Sequence, residues 1–160
     1  MLGRPAPCVS RQMTVEIENN ANRVNRIFAA RLGDFDRVRS MVEEFADKTR
    51  VSGEDRHKLT LIVEELFINT VTHGHKGDCD SPVSITLQKS GTDIMLLYED
   101  AAPPFNPLGS GQSANIDDSI RKRRIGGLGV FLTTELAHGA AYSYDKGRNR
   151  IHLTYSPAHA

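Results

Sequence analysis

The sequence of 160 residues has few cysteines, no tryptophan, no excess of either charge and no long apolar run. Its two cysteines, Cys8 and Cys79, are too few for a disulfide framework, so we expect reduced thiols and a cytoplasmic protein. Twenty lysines and arginines balance twenty aspartates and glutamates, which argues against direct binding to nucleic acid. No segment approaches the roughly eighteen consecutive apolar residues of a membrane span, so we expect no membrane association.

The N-terminal residues contain glycine and proline and lack the apolar core of a secretory signal. We therefore expect residues 1–12 to form a flexible tail. The remaining length suits one ordinary domain, which we place at residues 13–156.

Hydrophobic periodicity divides this domain into helices and strands that are separated by segments rich in glycine and proline. In chain order it predicts a weak edge strand at 13–19, an element at 23–31 compatible with helix or strand, a helix from Asp34 to near Thr49, a helix capped by Ser52 and running to about His73, strands at 83–89 and 93–100, an irregular loop at 101–118, a helix from about 128 to 137, and a closing hairpin around 146–149.

The predicted helices come in one group and most strands come in adjacent pairs. This order favours an α+β fold with a mostly antiparallel, mixed sheet that is covered on one face by helices. The strand–helix alternation of a doubly wound fold is not found. The loop at 101–118 is unusually long for a compact domain, which is typical of a functional loop.

A column of polar residues runs along the second helix, in the segment LIVEELFINTVTHGH (61–75). Glu65, Asn69 and His73 recur every four residues and therefore share one face of the helix. An amide oxygen is a suitable ligand for Mg²⁺, and a carboxylate one turn away can deprotonate a hydroxyl group or a water molecule. The polar seam of a half-exposed helix explains the same spacing.

Asp100 ends a hydrophobic strand and leads into the proline-rich segment AAPPFNP (101–107). An ionised carboxylate only accepts hydrogen bonds, so at the edge of the core it can receive the exocyclic amino group of adenine. The alternative is that Asp100 simply ends the strand and begins a turn.

The segment RKRRIGGLGV (121–130) places a basic run before glycines and a predicted helix. Glycines allow backbone N–H groups to approach an anion, and the start of a helix adds favourable polarity. A flexible connector beside a solvated basic face explains the same residues. Neither the GxxxxGK[ST] motif nor a GxGxxG motif after a strand is present.

In this order the three segments resemble the motifs of the Bergerat-type ATP-binding fold, a two-layer sandwich that gyrase, the heat-shock ninety chaperone, histidine kinases and MutL share. EELFINTVTHG resembles its N box and DAAPPFNP its first glycine box, while GGLGVFLTTELAHGAAYSYDKGRNRIHLTY resembles the second glycine box with the closing strands. Within this superfamily the chain is most similar to the anti-sigma factor serine/threonine kinase family, over about residues 13–155.

The resemblance implies ATP and Mg²⁺ as cofactors. It assigns Glu65 as the general base for a serine or threonine hydroxyl, Asn69 as the Mg²⁺ ligand and Asp100 as the adenine-binding carboxylate. The further nucleotide-binding residues that it implies are His73, Ala102, Pro104, Phe105, Arg124, Gly126, Gly127, Leu128, Gly129 and Val130.

Two positions depart from the family pattern DxGxPFDP. Ala102 stands where the family usually has glycine, so we expect a stiffer loop and an altered fit around adenine. Asn106 stands where the family usually has aspartate. Neither departure removes the proposed adenine-binding carboxylate or the proposed metal ligand.

The resemblance also implies a bacterial partner-switching pathway. Members of the family hold a sigma factor or an analogous regulator inactive, or phosphorylate an anti-anti-sigma protein of the STAS type, and they are commonly homodimers. The alternatives are a nucleotide-gated binding switch without kinase activity, the separate ATPase domain of a histidine kinase, and a structural domain that binds no nucleotide.

Overall fold

The computed structural model describes residues 20–108 and 139–157. A 3₁₀ turn precedes the first helix and a π-helical turn follows the second. In chain order the described elements are β1 (Arg23–Ala29), the 3₁₀ turn (Leu32–Asp34), α1 (Phe35–Thr49), α2 (Gly53–Asn69), the π-helical turn (Thr70–Gly74), β2 (Pro82–Ser90), β3 (Asp93–Asp100), β4 (Gly139–Asp145) and β5 (Arg148–Tyr155).

The strands form one sheet in the order β1-β2-β3-β5-β4, and each of these four pairings is antiparallel. Strand β3 lies at the centre, between β2 and β5. The α+β class and the predominance of antiparallel pairing are therefore confirmed. The described strands contain no parallel pair that would make the sheet mixed.

The segment that was compatible with helix or strand forms β1. Val24 and Phe28 are buried on one face of this strand, which agrees with a period of two residues. Arg26 lies on the same face and pairs with Glu44 of α1. In a helix, residues two positions apart point in different directions, so these three side chains would not share one face.

The helices cover one face of the sheet, and side chains from both layers fill the core. Alternate residues of the central strand enter this core, among them Ile94, Leu96 and Tyr98. The predicted apolar stripe of α1 is confirmed, except that Phe35 is only partly buried. The buried members of that stripe are Val38, Met41, Val42 and Phe45.

Ser52 caps α2, as the sequence predicts. Its Oγ accepts a hydrogen bond from the backbone N–H of Asp55 at 3.2 Å, which satisfies one of the free donors of the first turn. The Asp55 side chain is itself buried and accepts hydrogen bonds from the hydroxyls of Ser52 and Tyr155. These contacts fix the start of α2 against the end of β5.

The regular part of α2 ends earlier than its apolar period suggests. The α-helix stops at Asn69, and the chain continues in the wider π-helical turn to Gly74. The predicted strand at 13–19 and the predicted helix at 128–137 lie outside the described residues. No helix in the described ranges is long and apolar enough to cross a membrane.

Candidate functional site

A cavity of about 370 Å³ opens where α2 and its π-helical turn meet the ends of β3 and β5. The loop that follows β3 forms another part of its wall. The cavity is lined by Leu66, Asn69, Thr70, His73, Gly74, Lys76, Tyr98, Asp100, Ala102, Pro103, Pro104, Phe105, Pro107, Asn149 and Ile151. Segments distant in sequence, which carry the first two of the three predicted motifs, thus meet at one site.

Asp100 places a carboxylate at the buried end of this cavity. It is the last residue of β3 and continues the alternation that buries Tyr98, which leaves it 7% exposed. Its Oδ1 accepts hydrogen bonds from Asn149 Nδ2 at 2.8 Å and from the Ala102 N–H at 2.9 Å, and its Oδ2 accepts one from the Thr70 hydroxyl at 2.9 Å. Each carboxylate oxygen has two acceptor positions, so Oδ2 retains one position for a further donor.

Two hydroxyl groups orient the carboxylate from the side of α2. The Tyr98 hydroxyl lies 2.7 Å from Thr70 Oγ1. Burial raises the pKa of Tyr98 well above its usual value, so this hydroxyl stays protonated. Because the carboxylate has no proton to give, the consistent arrangement has Tyr98 donate to Thr70 and Thr70 donate to Asp100.

Asn149 fixes the opposite side of Asp100. Besides donating to that carboxylate, its Nδ2 donates to the Ala102 carbonyl at 3.0 Å, and its Oδ1 accepts from the Phe105 N–H at 3.1 Å and the Tyr142 hydroxyl at 2.7 Å. The side chain is 3% exposed and all of its polar atoms are paired. One amide therefore joins β3, the following loop, β4 and β5.

Thr70, Tyr98 and Asn149 are site residues that lie outside the residues singled out in the sequence motifs. A signal for Asn149 is present, because it continues the alternation of Ile151 and Leu153 and so is a polar residue at a core position. The pairing of Asp100 with Asn149 across β3 and β5 follows from the strand register, which the sequence does not define. Thr70 carries a comparable signal, because it follows the buried residues Leu66 and Phe67 at helical spacing and is therefore a polar residue at a core position.

Ala102 fits the loop without backbone strain, although the family usually has glycine at this position. Its backbone is not in the left-handed region, since the described non-glycine residues with positive φ are Arg50, Lys76 and Lys146. The side chain is buried against Gly74, where a Cβ atom would lie 2.8 Å from the Ala102 Cβ. The methyl group at Ala102 therefore uses space that the glycine of the π-helical turn leaves open.

We expect Gly74→Ala to destabilise the site and Ala102→Gly to restore it in the same chain. Neither methyl group can rotate away, so the turn or the loop must move, at a cost of about 1–3 kcal/mol in the free energy of unfolding. Thermal or urea unfolding measures the change. Gly53→Ala is the control, because a Cβ at that position meets nothing within 4 Å. Wild-type stability of Gly74→Ala, or no recovery in the double variant, would contradict the close contact.

Asn69 presents the feature that a metal site requires. Its Oδ1 is buried and has no hydrogen-bond partner in the described structure, while its side chain lines the cavity. An unpaired buried oxygen is costly, and a hard cation such as Mg²⁺ would satisfy it. The described residues contain no cluster of three or more His, Cys, Asp or Glu that could hold a metal, so the remaining ligands would come from outside this set, such as phosphate oxygens.

Glu65 lies one helical turn before Asn69 but is not part of the cavity lining. Its side chain is half-buried. Burial and, to a smaller extent, the neighbouring charge of Glu64 raise the pKa of Glu65 above its usual value. A raised pKa makes the carboxylate a better proton acceptor.

The structure brings most of the predicted site residues of the described ranges to one cavity. Asn69, His73 and Asp100 line it, and His73 is exposed. From the first glycine box, the residues at the cavity are Ala102, Pro104 and Phe105. The predicted residues that lie outside the described ranges are Arg124, Gly126, Gly127, Leu128, Gly129 and Val130.

Comparisons with known proteins agree with this architecture. The serine/threonine-protein kinase BtrW of Bordetella bronchiseptica is 26% identical over 113 residues, which cover 71% of this chain and 79% of that protein. A chain in the crystal structure of the SiaB–SiaC complex from Pseudomonas aeruginosa superposes with a TM-score of 0.51 and 8% identity, covering 81% of this chain and 88% of that one. At this identity the likeness shows the fold alone.

The family comparison covers both the site and the sheet. Residues 28–155, which are most of the chain, match the family described as the histidine kinase-like ATPase domain. The matched range includes the π-helical turn, the end of β3 and the amide of Asn149. The chain therefore belongs to the family of histidine kinase-like ATPase domains.

Proposed function

We propose that the protein is an ATP-dependent serine/threonine protein kinase. The observation that carries the proposal is the combination of Asp100, which keeps a free acceptor position inside the cavity, with Asn69, whose buried oxygen has no partner. The first suits the amino group of adenine and the second suits the metal of a nucleotide complex. The similarity to a protein named as a serine/threonine-protein kinase supports the reaction class.

Asp100 selects adenine over guanine in this proposal. The exocyclic amine of adenine donates to Oδ2, whereas guanine presents a carbonyl oxygen at the same position and would face the carboxylate unfavourably. Thr70 and Asn149 hold the carboxylate in place before the nucleotide binds. A fixed acceptor loses little conformational freedom on binding.

Asn69 would hold Mg²⁺ together with oxygens of the nucleotide phosphates. A bound Mg²⁺ supplies charge neutralisation on the phosphate groups during transfer. By the resemblance alone, since these residues lie outside the described ranges, Gly127 and Gly129 would present backbone N–H groups to the phosphates. Arg124 would contact a phosphate or the partner protein.

Glu65 acts as the general base. Its carboxylate accepts the proton of a serine or threonine hydroxyl on the partner protein, and the hydroxyl oxygen forms a bond to the γ-phosphorus. The bond between that phosphorus and the bridging oxygen breaks, and ADP leaves. Since Glu65 lies outside the cavity lining, the hydroxyl would approach from the surface beside α2.

The proposed partner is an anti-anti-sigma protein of the STAS type, with a sigma factor or analogous regulator as the second partner. We further propose a cytoplasmic homodimer in which residues 13–156 form the catalytic domain and residues 1–12 form a tail. These assignments follow from the family resemblance. No part of the proposed mechanism involves nucleic acid or a membrane.

A second candidate is a nucleotide-gated binding switch that transfers no phosphoryl group. The position of Glu65 outside the cavity lining favours it, since a base must reach the γ-phosphate region. Both candidates require ATP binding, and they differ only in the transfer step.

Labelling with γ-³²P-ATP separates the two candidates. Purified protein, Mg²⁺, labelled ATP and lysate from the source organism are incubated, with Glu65→Gln as the matched control. A kinase labels a small protein on serine or threonine in the wild-type sample only. No labelling despite measurable ATP binding would reject the kinase and favour the switch, whereas equal labelling with both proteins would reject Glu65 as the base.

A further inference from the structure

The charges that line the cavity are separated between its buried end and its rim. Asp100 is buried at one end of the cavity, whereas Lys76 is exposed. Within the described ranges, no other lysine or arginine lines the cavity. His73, also exposed, lines the cavity as well. A ligand that matches this arrangement carries an amino group at the end that enters first and anionic groups at the end that stays near solvent.

The backbone holds Lys76 in a conformation that favours glycine. Its φ is +57°, in the left-handed region that side chains other than glycine rarely adopt. The residues on either side are fixed, because the His75 N–H bonds to the Thr70 carbonyl and the Gly77 N–H bonds to the Val71 carbonyl, each at 2.9 Å. The π-helical turn therefore imposes the left-handed conformation at Lys76.

Lys76 forms no ion pair within the described structure. The nearby carboxylates are engaged elsewhere, since Asp78 accepts a hydrogen bond from the Leu32 N–H and Asp80 pairs with Arg31. Arg50 and Lys146 share this backbone conformation without lining the cavity, so it does not by itself indicate a ligand. The feature that points to a ligand is the exposed ammonium group of Lys76 at the cavity.

We propose that Lys76 binds the phosphate groups of the nucleotide, an inference that rests on the proposed ATP site. The ammonium group is a mobile point charge on a long stem, which suits the outer phosphates of a nucleoside di- or triphosphate. Together with Asp100 it makes the cavity complementary to both ends of the nucleotide.

The test compares the affinities of adenosine, AMP, ADP and ATP for wild type, Lys76→Met and Lys76→Arg by calorimetry or fluorescence competition. Lys76→Met weakens ATP and ADP about tenfold, as the loss of one charge-assisted contact predicts, and leaves adenosine unchanged. Lys76→Arg keeps most of the affinity because it keeps the charge. Equal losses for adenosine and ATP, or no loss for ATP, would overturn the role of Lys76.

Lys146 is a matched control within the same chain. It is an exposed lysine with a positive φ of +51°, but it lies in the hairpin turn and does not line the cavity. Substitution by glycine relieves the backbone strain at either position, so Lys76→Gly and Lys146→Gly both raise the melting temperature. Only Lys76→Gly also weakens ATP binding. Identical effects of the two glycine variants on ATP affinity would reject the proposal.

The same measurements distinguish failure of this inference from failure of the proposed function. If wild type binds ATP and Lys76→Met binds it equally well, the nucleotide site stands and the role of Lys76 does not. If wild type binds neither adenosine nor ATP, the proposed function fails and the phosphate contact fails with it.

Discussion

Glu65→Gln is expected to bind ATP with nearly wild-type affinity and to transfer its phosphoryl group about 10²- to 10⁴-fold more slowly, which is the range for loss of a general base. The glutamine amide has the shape of the carboxylate but cannot accept the hydroxyl proton. Glu65 lies outside the cavity lining, so the nucleotide loses no contact there. The transfer rate is measured on the protein that the labelling experiment identifies, and ATP affinity is measured separately.

Glu64→Gln is the matched control for this variant. Glu64 is the adjacent residue on α2, and its carboxylate pairs with Arg39 on α1, with Oε1 2.7 Å from the guanidinium Nε. Its negative charge also contributes to the raised pKa of Glu65. Glu64→Gln should therefore keep activity and shift the acidic limb of the pH–rate profile to lower pH, because the base becomes easier to deprotonate. A large loss of transfer in this control would place the base at Glu64 or show that the helix surface itself is required.

Glu65 also gives a prediction that needs no partner protein. Because its folded pKa is raised, the folded protein binds more protons than the unfolded chain at pH values above the usual glutamate pKa of 4.5. The stability of wild type relative to Glu65→Gln should therefore fall as pH rises from about that value through the raised pKa. Glu65→Gln should accordingly be the more stable protein at neutral pH. A wild type that gains stability over the variant across this window would contradict a desolvated carboxylate.

Local sequence patterns were sufficient to predict the framework around the site. The apolar period of α1, the Ser52 cap of α2 and the strands at 83–89 and 93–100 each arise from short-range preferences, and the structure confirms them. Asn69, His73 and Asp100 all line one cavity, whereas Glu65, which the same four-residue spacing puts on the helical face of Asn69 and His73, does not line it. These features depend on residues that are close in sequence.

Long-range contacts account for what the sequence did not reveal. Asn149 reaches Asp100 only because β3 and β5 pair in one register, which is set by the whole sheet. Thr70 meets the same carboxylate where the end of α2 lies against the end of β3, a contact between residues thirty positions apart in the chain. The contact of Ala102 with Gly74 likewise joins two motifs that are far apart in the sequence.

Asp100→Asn is expected to weaken the binding of ATP and ADP about 100-fold while the protein remains folded. The new amide oxygen can still accept from Asn149 Nδ2 and the Ala102 N–H, which both meet Oδ1 in the wild type. The new NH₂ group replaces Oδ2, and the Thr70 hydroxyl can turn its proton to the Leu66 carbonyl, 3.0 Å away. The internal network therefore survives, with its charge removed.

Nucleotide binding is weakened in the variant, because the adenine amine and the new amide group are both hydrogen-bond donors. When they face each other, two buried donors remain unpaired, at a cost of about 1–3 kcal/mol for each. Guanine presents an acceptor at that position, so the preference for ATP over GTP should narrow in the variant. Calorimetric titration of wild type and variant with both nucleotides measures the affinity and the preference together.

Asp55→Asn separates this effect from a general loss of stability. Asp55 is also a buried carboxylate, 2% exposed, but Ser52 and Tyr155 hold it at the start of α2 and it does not line the cavity. Removing its charge should lower the melting temperature and leave nucleotide affinity unchanged at a temperature where the variant is folded. If Asp100→Asn and Asp55→Asn weakened ATP equally, or if Asp100→Asn kept the wild-type preference for adenine, recognition of the base would have to lie elsewhere than at Oδ2 of Asp100.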